Sequence, residues 1–406
     1  MKFWKKSKLL CLFLVLALSV SLLSSCTLDG LGQLLSGLVD LGGSEDGGQG
    51  TPPVLEGNDI YNKPYYQALT DEEKLFYQTI YTSLAAKNAT VEIQASSDDK
   101  GDAIFAAFSA VARDNPQLFW LNGGATLNGK VEPLSKKTTY TLSPYILTGY
   151  GSIEEMSDAV SQRITAIVEE AKVLPDLYDQ ILFLHDYLVD SVEYDSDAVD
   201  DILEGDGKTV HPSSTSYGAF IEGKAVCSGY AAAFAILVQE LNVPCIRVQG
   251  RKIGGENHEW NAVYFEGASY FVDVTWDDPL TTGEHDNRSH LYYFINQAEL
   301  SKTHEIAEGE IVPTCTATAH EYYRHHGYFS ESYDYAQFCA IAAKQANKDT
   351  VVVRFGSLNA LNAAIRHLSE QEKIFSVPAL QERLRGKGYS LSHNDTALTL
   401  TFFLPD

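Results

Sequence analysis

The chain has 406 residues, 45% of them hydrophobic, with 18 Phe and 23 Tyr; that is ample for a packed core and excludes a disordered chain. Its formal net charge is −24, which argues against nucleic acid and against an electrostatic grip on anionic lipid. The length admits one large domain or two to three ordinary ones.

Residues 1–26 read as an export signal. Lys2, Lys5, Lys6 and Lys8 precede an apolar run from Leu9 to Leu23, too short for a comfortable membrane span and suited to a signal peptide. The run closes on Leu23-Ser24-Ser25-Cys26, which resembles a bacterial lipoprotein box. The resemblance implies that Cys26 becomes the lipidated first residue of an extracytoplasmic, membrane-anchored protein. The alternative is a plain signal peptide or an uncleaved anchor. Removal of the four lysines takes the charge from −24 to −28.

Residues 27–58 form a flexible tether, with Gly-Gly pairs and Pro52-Pro53; its stretch Leu28 to Leu41 is leucine-rich enough to lie on a membrane surface. An N-terminal α/β region spans 59–174. Thr70-Asp71-Glu72-Glu73 is a capping box, opening a helix whose apolar positions are Leu75, Phe76, Ile80 and Leu84. A second helix is predicted from Asp102 to Ala112, β structure over 117–148, and helices over 152–173 and 176–192, parted at Pro175.

From Ala225 the pattern changes. A helix starting at Cys227 places Ala231, Phe234, Val238 and Leu241 on its stripe, and its other faces are apolar too, so it belongs inside a domain. Three β-runs follow: Cys245–Gly250, His258–Phe265 and Ser269–Trp276. The core spans 175–305, a connector 306–332, and a small C-terminal α/β domain 333–406. That last part alternates helix, strand (Val351–Arg354), helix and strand (Ala397–Phe403). No internal repeat is present.

Among the six cysteines, Cys11 and Cys26 belong to the signal, and Cys227, Cys245, Cys315 and Cys339 are scattered without a CxxC pair. The spacing therefore predicts no structural zinc site and leaves a Cys315–Cys339 bridge open. Cys245, after Pro244, reads as inert. His320, His325 and His326 near Cys315 lack a third ligand at metal spacing and read as a solvated cluster; His185 reads as a satisfied core histidine.

A thiol at a helix N-terminus meets the positive end of the macrodipole, which favours the thiolate. By itself Cys227 would be a small core residue, but attack needs a partner imidazole oriented by a third group. If Glu266-Gly267 is a two-residue turn, Trp260 faces Asp273 and His258 faces Thr275. His258 and Asp273 then share one sheet face as diagonal neighbours, ~7–8 Å apart at Cα. A three-residue turn would break that parity.

Three blocks carry a resemblance. They are Gly223-Lys224-Ala225-Val226-Cys227-Ser228-Gly229-Tyr230-Ala231, His258-Glu259-Trp260-Asn261, and Val272-Asp273-Val274-Thr275-Trp276-Asp277-Asp278-Pro279. In this order and spacing they resemble the transglutaminase-like superfamily. Leu184 through Asp195 resembles the helix that precedes the core in bacterial members, and Ser216-Tyr217-Gly218-Ala219-Phe220 the segment before the cysteine block.

The resemblance implies an α+β fold with a papain-like core, in which a Cys-bearing helix packs on an antiparallel sheet. It implies Cys227 as nucleophile, His258 as general base and acid, and Asp273 as the group that orients His258. The oxyanion would meet the Cys227 N–H and a second donor, for which Tyr217 is the candidate. Trp260 and Trp276 are candidates for lining the cleft, and Asp277 and Asp278 hold the turn. The expected function is a cell-envelope enzyme that forms a thioester on Cys227 from an amide or peptide carbonyl. Water would resolve it as in a peptidase or deamidase, or an amine as in a transglutaminase. A catalytically idle binding module is the alternative. No cofactor and no metal is expected; the partners are an envelope protein or peptide and the membrane.

Overall fold

The computed structural model describes residues 60–405 except 98, 136 and 279–287; the signal, Cys26 and the tether lie outside the described residues. The capping box forms: Thr70 Oγ1 accepts from Glu73 N at 3.3 Å and Glu73 Oε2 from Thr70 N at 2.7 Å, opening α1 (Asp71–Ala85). Phe76, Ile80 and Leu84 are buried with Tyr77, while Leu75 is 63% exposed. The inward face therefore runs along the Phe76-Ile80-Leu84 row on its Tyr77 side, and Leu75, one residue back, is rotated out into solvent.

β1 (Val91–Ala95), α2 (Gly101–Asp114), β2 (Leu121–Val131) and β3 (Thr138–Ile146) complete a first unit, with antiparallel strand order β1-β3-β2. α3 (Ile153–Lys172) begins with a second capping box, Ser152 with Glu155. α4 (Leu177–Ser191) follows Pro175, capped by Asp176. The chain then enters β4 (Glu193–Tyr194), which pairs in parallel with β5 (Lys224–Ala225).

α5 (Cys227–Glu240) is the central helix. Every residue from Gly229 to Val238 is buried, as an all-round apolar sequence requires, and each large side chain so buried is worth about 1.5–3 kcal/mol. It packs on a sheet of order β8-β7-β6-β9, built from β6 (Cys245–Lys252), β7 (Asn257–Phe265), β8 (Ala268–Val272) and β9 (His304–Ile306). Asn261 fastens sheet to helix, its Nδ2 donating to Ala231 O at 2.9 Å. A smaller apolar cluster, including Val248, Trp260, Phe271 and Leu300, is separate from the main core.

The β7–β8 turn has two residues. Glu266 and Gly267 both have positive φ, 47° and 83°, as a type I′ turn demands, and the register pairs Phe265 with Ala268 and Asn261 with Val272. β8 ends at Val272, however, short of the predicted Trp276. Asp273 Oδ1 accepts from Trp276 N at 3.2 Å and so caps α6 (Val274–Asp277). A side-chain cap here outweighs the β-propensity of Val274 and Thr275.

The C-terminal part holds α7 (Tyr335–Lys344) and α8 (Leu358–Ile365) beside a sheet of order β10-β11-β13-β12. These strands are β10 (Phe329–Ser330), β11 (Thr350–Phe355), β12 (Ser390–Asn394) and β13 (Thr399–Phe403). β12 was not predicted, and β10 is drawn in from the connector. Arg354 on β11 ties this part to Glu299 of the core and to Glu321 of the connector. The architecture is α+β throughout. Among the described residues no helix is long and apolar enough to cross a membrane. Cys227, Cys245, Cys315 and Cys339 are all free thiols.

Candidate active site

The short parallel pair β4–β5 delivers the chain to α5, setting Tyr194 opposite Ala225, two residues before Cys227. Val226 provides no side-chain cap and the first turn holds no acidic residue. The half-buried Cys227 thiol thus meets uncapped backbone N–H groups and an uncompensated positive dipole end.

His258 enters from β7, opposite Gly250 on β6. A Cβ at Gly250 would lie 2.2 Å from Glu305 O and 2.5 Å from the Trp260 ring, so only glycine allows β9 and Trp260 to close around the histidine. His258 Nε2 lies 2.6 Å from Asp273 Oδ2, which leaves Nδ1 as the nitrogen for the thiol. Burial by itself pushes the imidazolium down. The Asp273 carboxylate more than reverses this, the hydrogen-bonded Cys227 adds to it, and His258 rises to about 10. Asp273 is 1% exposed; burial works against its charge, yet His258 and then His304 hold its carboxyl well below the usual range.

His304 had no signal in the sequence. It follows Asp273 by 31 residues on the edge strand β9, whose pairing with β6 sets it opposite Lys252. Its Nε2 lies 3.0 Å from Asp273 Oδ2, and its Nδ1 lies 2.8 Å from Thr303 Oγ1. Cys227, His258 and Asp273 are therefore brought together by α5, β7 and the β8–α6 junction, with a second imidazole behind the carboxylate.

The two tryptophans part company. Trp260, 1% exposed, stacks on His258 at 5.9 Å and belongs to the smaller apolar cluster with Val248 and Phe271. Trp276 lies 5.9 Å from the His258 ring and 4.4 Å from His304, and lines a cavity of about 230 Å³ with Tyr292, Thr303 and Arg354. Tyr217 packs elsewhere: its ring stacks on Phe119 and meets Tyr150 edge-on, at 6.0 and 5.4 Å. The Tyr194 hydroxyl is raised to about 12, by burial first and then by Cys227, Glu256 and Asp273.

His185 is fully buried, with Nδ1 2.9 Å from Asp186 and Nε2 3.2 Å from Asp277. His290 Nε2 reaches the same Asp186 oxygen at 2.8 Å. Asp277 also accepts from Tyr292 N, and Asp278 from the Tyr230 hydroxyl, so both hold the turn. Among the described residues two triplets converge closely enough to offer metal ligands, His185-Asp186-His290 and His258-Asp273-His304. In each, one histidine (His185, His304) already has both ring nitrogens hydrogen-bonded. His320 and His325 touch each other, with His320 paired to Glu266 and His325 stacked on Tyr178. Burial pushes Cys315 up to about 12 and Cys245 higher still.

Residues 162–274 match the Transglutaminase-like superfamily, a span that contains Cys227, His258 and Asp273. The chain carries a transglutaminase-like core. Kyphoscoliosis peptidase of Mus musculus and that of Homo sapiens are each 34% identical over 91 residues. Each match covers 19% of this chain and only 14% of the relative's length. A solved structure described as a TGase shares 17% identity over 39% of this chain and 47% of that one, with a TM-score of 0.29. A putative cysteine protease from Cytophaga hutchinsonii shares 14% over 39% and 65%, with a TM-score of 0.24.

Proposed function

We propose that this protein is a cell-envelope cysteine acyl-transfer enzyme, anchored through a lipid on Cys26, that cleaves peptide or side-chain amides by way of a thioester on Cys227. The observation that carries the reading is the 2.6 Å His258–Asp273 bond beside a thiol at the N-terminus of a buried helix. The Cys227 thiolate attacks the amide carbonyl carbon, forming the C–S bond. His258 gives its Nδ1 proton to the leaving nitrogen as the C–N bond breaks. His258, now neutral, takes a proton from the water that opens the thioester, and the acid leaves with Cys227 regenerated. Asp273 keeps the ring turned so that Nδ1 faces the thiol. The oxyanion meets the Cys227 N–H; Tyr194, opposite Ala225 at the entry to α5, joins Tyr217 as a candidate for the second donor.

Water is favoured over an amine as acceptor. A dedicated crosslinking enzyme needs a shielded channel to its thioester, whereas residues 251–257, next to His258, are all exposed. The peptidase activity named for the relatives in mouse and human agrees with hydrolysis. Protein lacking residues 1–26 is incubated with glutamine-containing peptides and excess labelled primary amine. Cys227-dependent hydrolysis is expected. Amine incorporation outpacing hydrolysis would make water the wrong acceptor, and no Cys227-dependent acyl-enzyme with any peptide would overturn the reading. For the anchor, mass spectrometry of the membrane fraction should find an N-terminal acylated Cys26; a soluble product cleaved elsewhere would count against it.

A further inference from the structure

We infer that His304 is a positioning residue for the Cys227–His258 pair, donating its Nε2–H to Asp273 and holding that carboxylate aimed at His258. This rests on the reading of Cys227 as a nucleophile. Asp273 stands at the junction of β8 and α6, where Oδ1 is committed to the Trp276 N–H. Oδ2 is shared by two imidazoles, His258 at 2.6 Å and His304 at 3.0 Å. Of the two, His304 is the more deeply fixed: it is 2% exposed, lies against Trp260, Trp276 and Tyr292, and has its other ring nitrogen at Thr303 Oγ1.

The Tyr292 hydroxyl donates to Thr303 Oγ1 at 3.2 Å. Thr303 Oγ1 in turn lies 2.8 Å from His304 Nδ1 and 3.3 Å from Leu300 O, and with its proton on the shorter of these contacts His304 presents its Nε2–H to Asp273. His304 gives Asp273 a second donor, its ring centre 5.3 Å from that of His258. The benefit arises within the catalytic cycle. When His258 gives up its proton, a buried carboxylate loses its cationic partner and becomes costly to keep in place. The His304 bond persists through that step, so Asp273 is still in position when His258 is protonated again. The ionisable groups hydrogen-bonded to Asp273 are His258 on β7 and His304 on β9, and its charge also acts on Tyr194 on β4 and on Tyr292.

The test reads thiol reactivity rather than turnover: the rate at which iodoacetamide alkylates Cys227 in the purified full chain, followed by mass spectrometry across the pH range. His304→Phe should slow alkylation at neutral pH about tenfold and move the acid limb of the profile to higher pH, because Asp273 loses a donor that favours its charge. His304→Gln, whose amide nitrogen can stand where Nε2 stood, should keep both near the original. His304→Asn reaches only the Nδ1 side and should behave like His304→Phe. A His304→Phe profile that matches the original overturns the inference, and if that variant does not fold, a His304→Gln no better than His304→Asn does the same. Original protein whose Cys227 reacts no faster than glutathione, and is not slowed by His258→Ala, overturns the nucleophile reading and the inference with it.

Discussion

Two clusters of histidine and aspartate are built from the same parts. In one, Asp273 receives His258 and His304; in the other, Asp186 receives His185 and His290, and His185 turns its second nitrogen to Asp277. In both, burial disfavours the imidazolium and the carboxylates prevail, carrying His258 to about 10 and His185 to about 9. They differ in what they face. The first ends at a half-buried thiol on a helix N-terminus; the second is closed by Arg288, 3.2 Å from Asp186, and by Tyr322 stacked on His290 at 3.9 Å. One turn of helix joins them, since Asp273 caps α6 and Asp277 is its last residue. A perturbed buried histidine thus marks a strut as readily as a site, and the adjoining nucleophile tells them apart.

The largest expected effects fall on the first cluster. Cys227→Ala and His258→Ala should each abolish the acyl-enzyme seen by intact mass spectrometry; Cys227→Ala should leave the thermal melt little changed, whereas His258→Ala removes a partner of the buried Asp273 and should lower it. Asp273→Asn should cost about 10⁴ in kcat through misorientation of the ring, and the losses should not add. Near-normal turnover in His258→Ala would dissolve the distinction between the clusters. In the second cluster the damage should be to stability: His185→Phe strands Asp186 and Asp277 without their shared partner and should cost about 3–5 kcal/mol in urea unfolding. Alkylation of Cys227 in the folded protein should be unaffected. A variant that kept its stability but lost thiol reactivity would make His185 part of the site.

Much of the first cluster was legible because turn chemistry fixes parity. Glu266-Gly267 sets the β7–β8 register, and parity alone puts His258 and Asp273 on one face. The end of β8 was not legible, since Val272-Asp273-Val274-Thr275-Trp276 carries strand propensity and only the folded Asp273 carboxylate reveals a helix cap. Leu75 misled for a related reason: it fits a helical stripe, but neighbours in space choose which edge of the stripe is buried. His304 and His290 were beyond a sequence reading, because each meets its aspartate through long-range placement and not through any local period. The indoles at 260 and 276 look alike in sequence, and only the folded chain sends one into the smaller apolar cluster.

The clusters should also differ in their mark on pH. His185 is raised from 6.5 to about 9, so the stability it contributes is complete below pH 6.5 and is lost as pH rises through about 9. His258 adds a similar loss running through about 10. The urea midpoint of the original protein should therefore fall over this interval. In His185→Phe the fall between 6.5 and 9 should be shallower, with the loss due to His258 retained. An unchanged slope in that variant would mean that His185 is not held as the imidazolium by its two aspartates.

The smallest effect expected is at Arg288, which closes the second cluster from outside. Its guanidinium lies 3.2 Å from Asp186 and 3.4 Å from Asp190, but the side chain is 32% exposed, and solvent screens such pairs to roughly 0–1 kcal/mol. Asp186 also keeps two imidazole partners, at 2.9 and 2.8 Å, when the guanidinium is removed. Arg288→Gln should therefore shift the urea midpoint only slightly, far less than His185→Phe, and leave Cys227 alkylation unchanged. A loss as large as that of His185→Phe would mean that the charge at the rim, and not the buried imidazole, holds the strut together. The likeness between the clusters would then be one of geometry without shared energetics, because Asp273 meets no guanidinium among its described partners.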